Sequence, residues 1–112
     1  MPCLLTKKLI FAALFLLAGL VLATGSVQAG GDVARGMELS EDCAGCHGDD
    51  GKGDEDNPLI AGLDVETHVN MLKGYKSGEI EDESEMMFDY VEGLSDQDMA
   101  DLAAYYATLS AE

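Results

Sequence analysis

Past an apolar opening, the apolar positions of the chain fall into short helical stripes separated by glycine-rich or acidic breaks. Asp32 can cap a first helix running through Val33, Met37 and Ser40. Val33 and Met37 are four apart and share a face, and Gly36 beside them permits another helix to come close. Asp64 opens a second helix in which Val65, Val69, Leu72 and Tyr75 make one apolar stripe, with His68 adjacent to it. Lys73 and Lys76 suit the C-terminal end of its dipole, and Gly78 can close it. A short turn or helix runs from Met86-Met87-Phe88 to Glu92 and ends at Gly93. The last helix has the clearest start: Ser95 as N-cap, Asp98 three residues on, and Leu94 with Met99 as a hydrophobic staple. Met99, Leu102, Ala103 and Tyr106 then mark its buried face.

The breaks are as informative as the stripes. Gly48 to Pro58 reads as a loop, glycine-rich, polar and closed by Asn57-Pro58. Its glycines do not make a phosphate cradle, because the segment is acidic and lacks Walker-type spacing. Leu59, Ile60 and Leu63 follow as apolar surface around a bend at Ala61-Gly62. Glu79 to Glu85 is an acidic loop, too charged to be core. No internal repeat is visible, so one unit is expected.

Ahead of all this, Lys7 and Lys8 precede an apolar run from Leu9 to Ala23, and Val27-Gln28-Ala29 supplies a small-x-small site. Residues 1–29 therefore read as a cleaved secretory signal peptide, and 30–112 as the mature domain. The rival is an uncleaved anchor, but the apolar run is shorter than the roughly 20 residues a spanning helix needs. Cys3 precedes the apolar run instead of following it, so it is not a lipoprotein cysteine.

The chemistry is concentrated in Cys43-Ala44-Gly45-Cys46-His47, which reads C-x-x-C-H, the attachment sequence for a c-type haem. Two thiols add across the two porphyrin vinyl groups, and the adjacent imidazole is held under the iron as the proximal ligand. Ala44 and Gly45 are small enough to let the backbone wrap against the ring edge. C-x-x-C alone would be shared between redox dithiols and zinc half-sites. A zinc site would need two further ligands, and past Cys3 the chain holds no other cysteine. No thiol is left for a disulfide, and a covalent haem is the staple that a core of this size otherwise lacks.

Charge narrows the partners. The chain carries 22 acidic and 6 basic residues, and loss of Lys7 and Lys8 leaves 22 against 4, a formal −18. This argues against nucleic acid and against anionic lipid as partners. The acid reads either as a solvated surface suited to a saline medium or as steering toward a basic redox partner.

An iron held by His47 has a sixth position to fill. The methionines past the leader are Met37, Met71, Met86, Met87 and Met99. Met37, Met71 and Met99 sit in helical patterns, where core filling explains them. Met86 and Met87 follow the acidic loop with no stripe demanding them, which makes them the ligand candidates; His68 is the rival.

In this order the features resemble the small bacterial class I c-type cytochromes. That periplasmic group includes single-haem proteins, the halves of diheme cytochromes and the cytochrome subunits of sulfide dehydrogenases. The resemblance rests on Cys43 to Gly48, Pro58 to Gly62, Leu72 to Gly78, and Gly93 to Ala107, with Cys43 to His47 and Leu94-Ser95-Asp96 through Tyr106 the most specific parts. It implies an all-α class I cytochrome c fold, three to four helices wrapped around one haem c bound through Cys43 and Cys46. Counting back seven from Leu94, it implies Met87 as axial ligand, with Met86 the alternative. It further implies that the Pro58 carbonyl holds the His47 imidazole, and that Gly36 marks a crossing of the first and last helices against Tyr105 or Tyr106. The segment ahead of Met87 is far more acidic than the family pattern.

The expectation is a periplasmic one-electron carrier with His47/Met87 ligation, exchanging electrons with donor and acceptor redox proteins, not inserted in the membrane once the signal is removed, and not itself an enzyme. The alternative is a haem subunit held tightly on a larger oxidoreductase, such as a flavoprotein sulfide dehydrogenase. Peroxidase-like chemistry needs a vacant sixth position, and two candidate methionines argue against one.

Overall fold

A computed structural model describes residues 30–112, so the leader reading of residues 1–29 lies outside the described residues. Four helices follow one another: α1 (Val33–His47), α2 (Val65–Ser77), α3 (Met86–Val91) and α4 (Asp96–Ala107). No strand occurs among the described residues. Helix α1 packs across α4, and α2 packs on both α4 and α3. This is the all-α arrangement expected from the stripes.

Each of the long helices starts where a capping side chain stands. Asp32 accepts from the Ala34 and Arg35 N–H groups, and Asp64 from those of Glu66 and Thr67. Ser95 and Asp98 form a complete capping box, each side chain accepting from the other's backbone N–H. Gly78 ends α2 in the left-handed conformation, at φ 78°.

The crossing of α1 over α4 is made by small residues. The inward stripe of α1 is Gly36, Ser40, Cys43 and His47, spaced for a single helical face. A β-carbon at Gly36 would collide with the Asp101 carbonyl and come within 2.8 Å of the Tyr105 β-carbon. Val33 and Met37, expected on the shared face, are instead 44% and 61% exposed. Their side chains would hold the two backbones apart, so the helix turns them outward. The N-terminus of α1 is tied down by Asp101, buried on α4, whose Oδ1 accepts from the Asp32 N–H at 2.7 Å and from Gln97 Nε2 at 2.8 Å. A carboxylate so far inside is tolerable because it is hydrogen-bonded.

Met99, Leu102, Ala103 and Tyr106 on α4 are all buried, as the last stripe predicted, and Ile60, Leu72 and Val91 join them to complete the core. The stripe of α2 is rotated from the expected one. Val65 is 37% exposed and Val69 half-buried, while His68, Met71, Leu72 and Tyr75 face inward. That set has the same i, i+3, i+4, i+7 spacing. A histidine therefore stands inside the stripe. His68 is 4% exposed, its ring centroid lies 5.6 Å from that of Tyr106, and its Nδ1 has no hydrogen-bond partner. Burial, and then the nearby His47, push its pKa down to about 4, so the ring is neutral.

Two outcomes are expected. Gly36→Val should destabilise the protein by about 1–3 kcal/mol through overpacking at the crossing. Gly93→Ala, where the added methyl meets nothing within 4 Å, should not, as read by thermal unfolding of the two variants. Because the folded His68 binds a proton less readily than the unfolded one, its contribution is present above the ordinary histidine pKa and is lost as pH falls toward about 4. The stability of His68→Leu relative to the parent should therefore rise by about 3 kcal/mol between neutral pH and pH ~4, measured by denaturant unfolding at each pH.

Candidate haem site

The helices leave one large apolar cleft between them, with about 1180 Å³ of open space including its mouth. Cys43, Cys46 and His47 stand on the wall formed by the last turns of α1. Spacings of three and four residues put both sulfurs and the imidazole on one side of the helix. Pro58 and Ile60 contribute from the following loop, His68, Met71, Leu72 and Tyr75 from α2, and Met86, Met87, Tyr90 and Val91 from α3. Of the apolar residues following the loop, Ile60 reaches the cleft. Leu63 is half-buried against the core, and Leu59 is 40% exposed and does not lean inward.

The imidazole is oriented before any metal is considered. His47 is 5% exposed, and its Nδ1 lies 2.8 Å from the Pro58 carbonyl oxygen. A carbonyl can only accept, so Nδ1 carries the proton and Nε2 keeps its lone pair, the form a metal requires. The carbonyl arrives there because the loop folds back on itself. Gly53, at φ 70°, donates its N–H to the His47 carbonyl at 2.8 Å, and a β-carbon on it would overlap the Asn57 carbonyl. Asp54 knits the same turn, accepting from the Asp56 and Asn57 backbones and from Asn57 Nδ2. These bonds, the Asp56 N–H foremost, hold its carboxyl below the usual range. Before thioether formation, burial raises the Cys43 thiol pKa, which keeps the sulfur protonated in the folded apoprotein.

The two methionine candidates are placed differently. Met87 is half-buried and packs against the core, whereas Met86 is 48% exposed. Met71, assigned to core filling from its helical position, lies on the cleft wall, and Met37 is on the outside. Only Met99 of that group is true core, at 0% exposure. Counting His68 as apolar would have shifted the α2 stripe by one position and brought Met71 to the cleft. Asp82 was also missed: it is half-buried at the cleft, and Met87's own N–H leads the hydrogen bonds that lower its carboxyl pKa. The spacing Asp82-x-Ser84 just before a helix, a side-chain turn signature, was the available signal.

The cleft fits a haem. Its lining is mostly apolar, both thiols and the tautomer-locked imidazole share one wall, and soft sulfur is present on another. No cluster of three or more His, Cys, Asp or Glu among the described residues could hold a metal by itself.

Comparison with known proteins agrees. Residues 33–110 match the family "Cytochrome c". The chain is similar to cytochrome c-554(548) of Halomonas halodenitrificans, at 35% identity over 77 residues, 67% of this chain and 93% of the relative. It is also similar to cytochrome c-554(547) of Halothiobacillus neapolitanus, at 40% identity over 76 residues, 60% of this chain and 84% of the relative. The chain thus belongs to the cytochrome c family: it is a small bacterial class I c-type cytochrome, an electron-transfer protein and not an enzyme, carrying haem c covalently through Cys43 and Cys46.

Proposed function

We propose that this cytochrome is a periplasmic one-electron carrier with His47 and Met87 as axial ligands, residues 1–29 being its cleaved export signal and 30–112 its mature domain. The carrying observation is the pair of placements at the cleft. His47 has its Nδ1 proton bound by Pro58, leaving Nε2 free to ligate, and Met87 is half-buried at the cleft against the core, while Met86, which also borders the cleft, is 48% exposed. When bound, the haem supplies a single-electron Fe(III)/Fe(II) couple. The protein's part is to fix the imidazole, present a thioether that favours the reduced state, and exclude water with Ile60, Leu72, Val91 and Leu102. The export reading rests on the leader pattern, and no described helix is long and apolar enough to cross a membrane.

Partner proteins are transient in this reading, and the acid favours ones with a basic docking face. One observation supports the alternative, a subunit of a larger oxidoreductase: Met86, Phe88 and Tyr90 on α3 are 44% to 49% exposed. Co-purification of an untagged flavoprotein from the native host would favour that reading; a lone monomer on sizing would favour the carrier.

Ligation is tested by the visible spectrum of the ferric protein. Met87→Ala should lose the sulfur-to-iron charge-transfer band, and Met86→Ala should keep it. The opposite pattern moves the ligand by one residue, and survival in both variants moves it to Met71. For the partner, electron-transfer rates with a basic redox protein should fall steeply as salt rises past about 0.1 M. A flat response leaves the acid a solvating role.

A further inference from the structure

The strap from Glu79 to Glu85 carries five acidic residues, and four of them, Glu79, Glu81, Glu83 and Glu85, are exposed. Asp82 is the exception, half-buried and on the cleft wall. Its Oδ2 accepts from the backbone N–H of Met87 at 3.0 Å. Ser84 Oγ lies 2.9 and 2.8 Å from the two carboxylate oxygens, and the Ser84 N–H reaches Oδ1 at 3.2 Å. The Asp82 carbonyl accepts from the Glu85 N–H at 2.9 Å, closing the turn.

The segment beyond needs such a hold. Helix α3 has six residues, too few to persist on its own backbone bonds. The residue at its N-cap, Glu85, makes no side-chain capping bond and is held at φ 57°, a left-handed conformation that a glutamate does not adopt freely. The capping that Glu85 does not provide comes from three residues earlier, and it lands on the backbone of Met87.

We propose that Asp82 is the positioning residue for Met87, its carboxylate fixing the first turn of α3 so that the thioether stays in the cleft. This rests on Met87 being the axial ligand. Asp82 does not touch the iron in this account; it acts through the Met87 N–H. Removing the acceptor leaves that donor unpaired and frees the Glu85 turn to relax. The sulfur then leaves the cleft more often, and an added nitrogen ligand competes better for its place.

The test uses the ferric holoprotein and imidazole as the competing ligand, titrated at fixed pH and salt while the sulfur-to-iron charge-transfer band is followed. Asp82→Ala should bind imidazole about tenfold more tightly than the parent, the scale of one lost hydrogen bond to a charged group. Asp82→Asn keeps an acceptor oxygen and should stay within about threefold of the parent. Glu83→Ala removes a neighbouring exposed charge and should change nothing. Unchanged affinity in Asp82→Ala overturns the proposal, as does an Asn variant that binds imidazole as tightly as the Ala variant, since charge and not hydrogen-bond acceptance would then be acting. If the parent itself lacks the band, the Met87 ligation fails and this proposal with it. If the band is present and the affinities are equal, only the role of Asp82 fails.

Discussion

The near-contact of α1 and α4 at Gly36 is the constraint from which the rest of the structure follows. With no side chain at that position, the two backbones meet, and Asp101 ties the start of α1 to the same helix. This brings the far end of α1, four turns of rigid helix with Cys43, Cys46 and His47 on its last turns, to a set place over the core built on Met99, Leu102 and Tyr106. A side chain at Gly36 would tilt the helix and carry both sulfurs and the imidazole with it. The attachment residues are thus aimed by packing that lies well outside the cleft they line.

Polar groups inside this small core divide into those that are satisfied and one that is not. Asp101 has two donors, and His47 has the Pro58 carbonyl, so each is held in one orientation by its partners. His68 has none at Nδ1 and is kept neutral by burial. A neutral, unpaired ring costs stability without adding charge beside the His47 imidazole. Both imidazoles line the cleft, and they differ in that a hydrogen bond to Nδ1 selects the tautomer of His47 and none does so for His68.

The acidic surface is not uniform in its structural use. Asp32, Asp64 and Asp98 cap helices, Asp54 knits the loop that delivers Pro58, and Asp82 turns toward Met87. Each carboxylate spent on a backbone N–H is fixed in place and partly compensated by the donor. The remainder, including Glu79, Glu81, Glu83 and Glu85 on the strap, stay exposed and set the field that an approaching redox partner meets.

What the sequence determined by itself is whatever depends on residues close together in the chain. The helix starts at Asp32, Asp64 and Ser95 were legible because a cap bonds to backbone two or three residues away. The haem attachment was legible because five consecutive residues carry it. The buried face of α4 was legible from its own periodicity. What only the tertiary structure decided is orientation, which depends on neighbours distant in sequence. Periodicity put Val33 and Met37 on one face of α1 with Gly36 beside it, and the close approach to α4 at Gly36, which the family resemblance implied, turned that apolar pair outward and Ser40 inward. It gave α2 one stripe of Val65, Val69, Leu72 and Tyr75, and packing against Tyr106 rotated the helix so that His68 is buried and Met71 reaches the cleft while Val65 is exposed. An acidic strap reads as solvent-facing throughout, and while the Asp82-x-Ser84 spacing signals a local turn, it does not show that the Asp82 carboxylate reaches the Met87 N–H. That follows from the position of α3 over the cleft, whose short first turn needs an acceptor from outside itself.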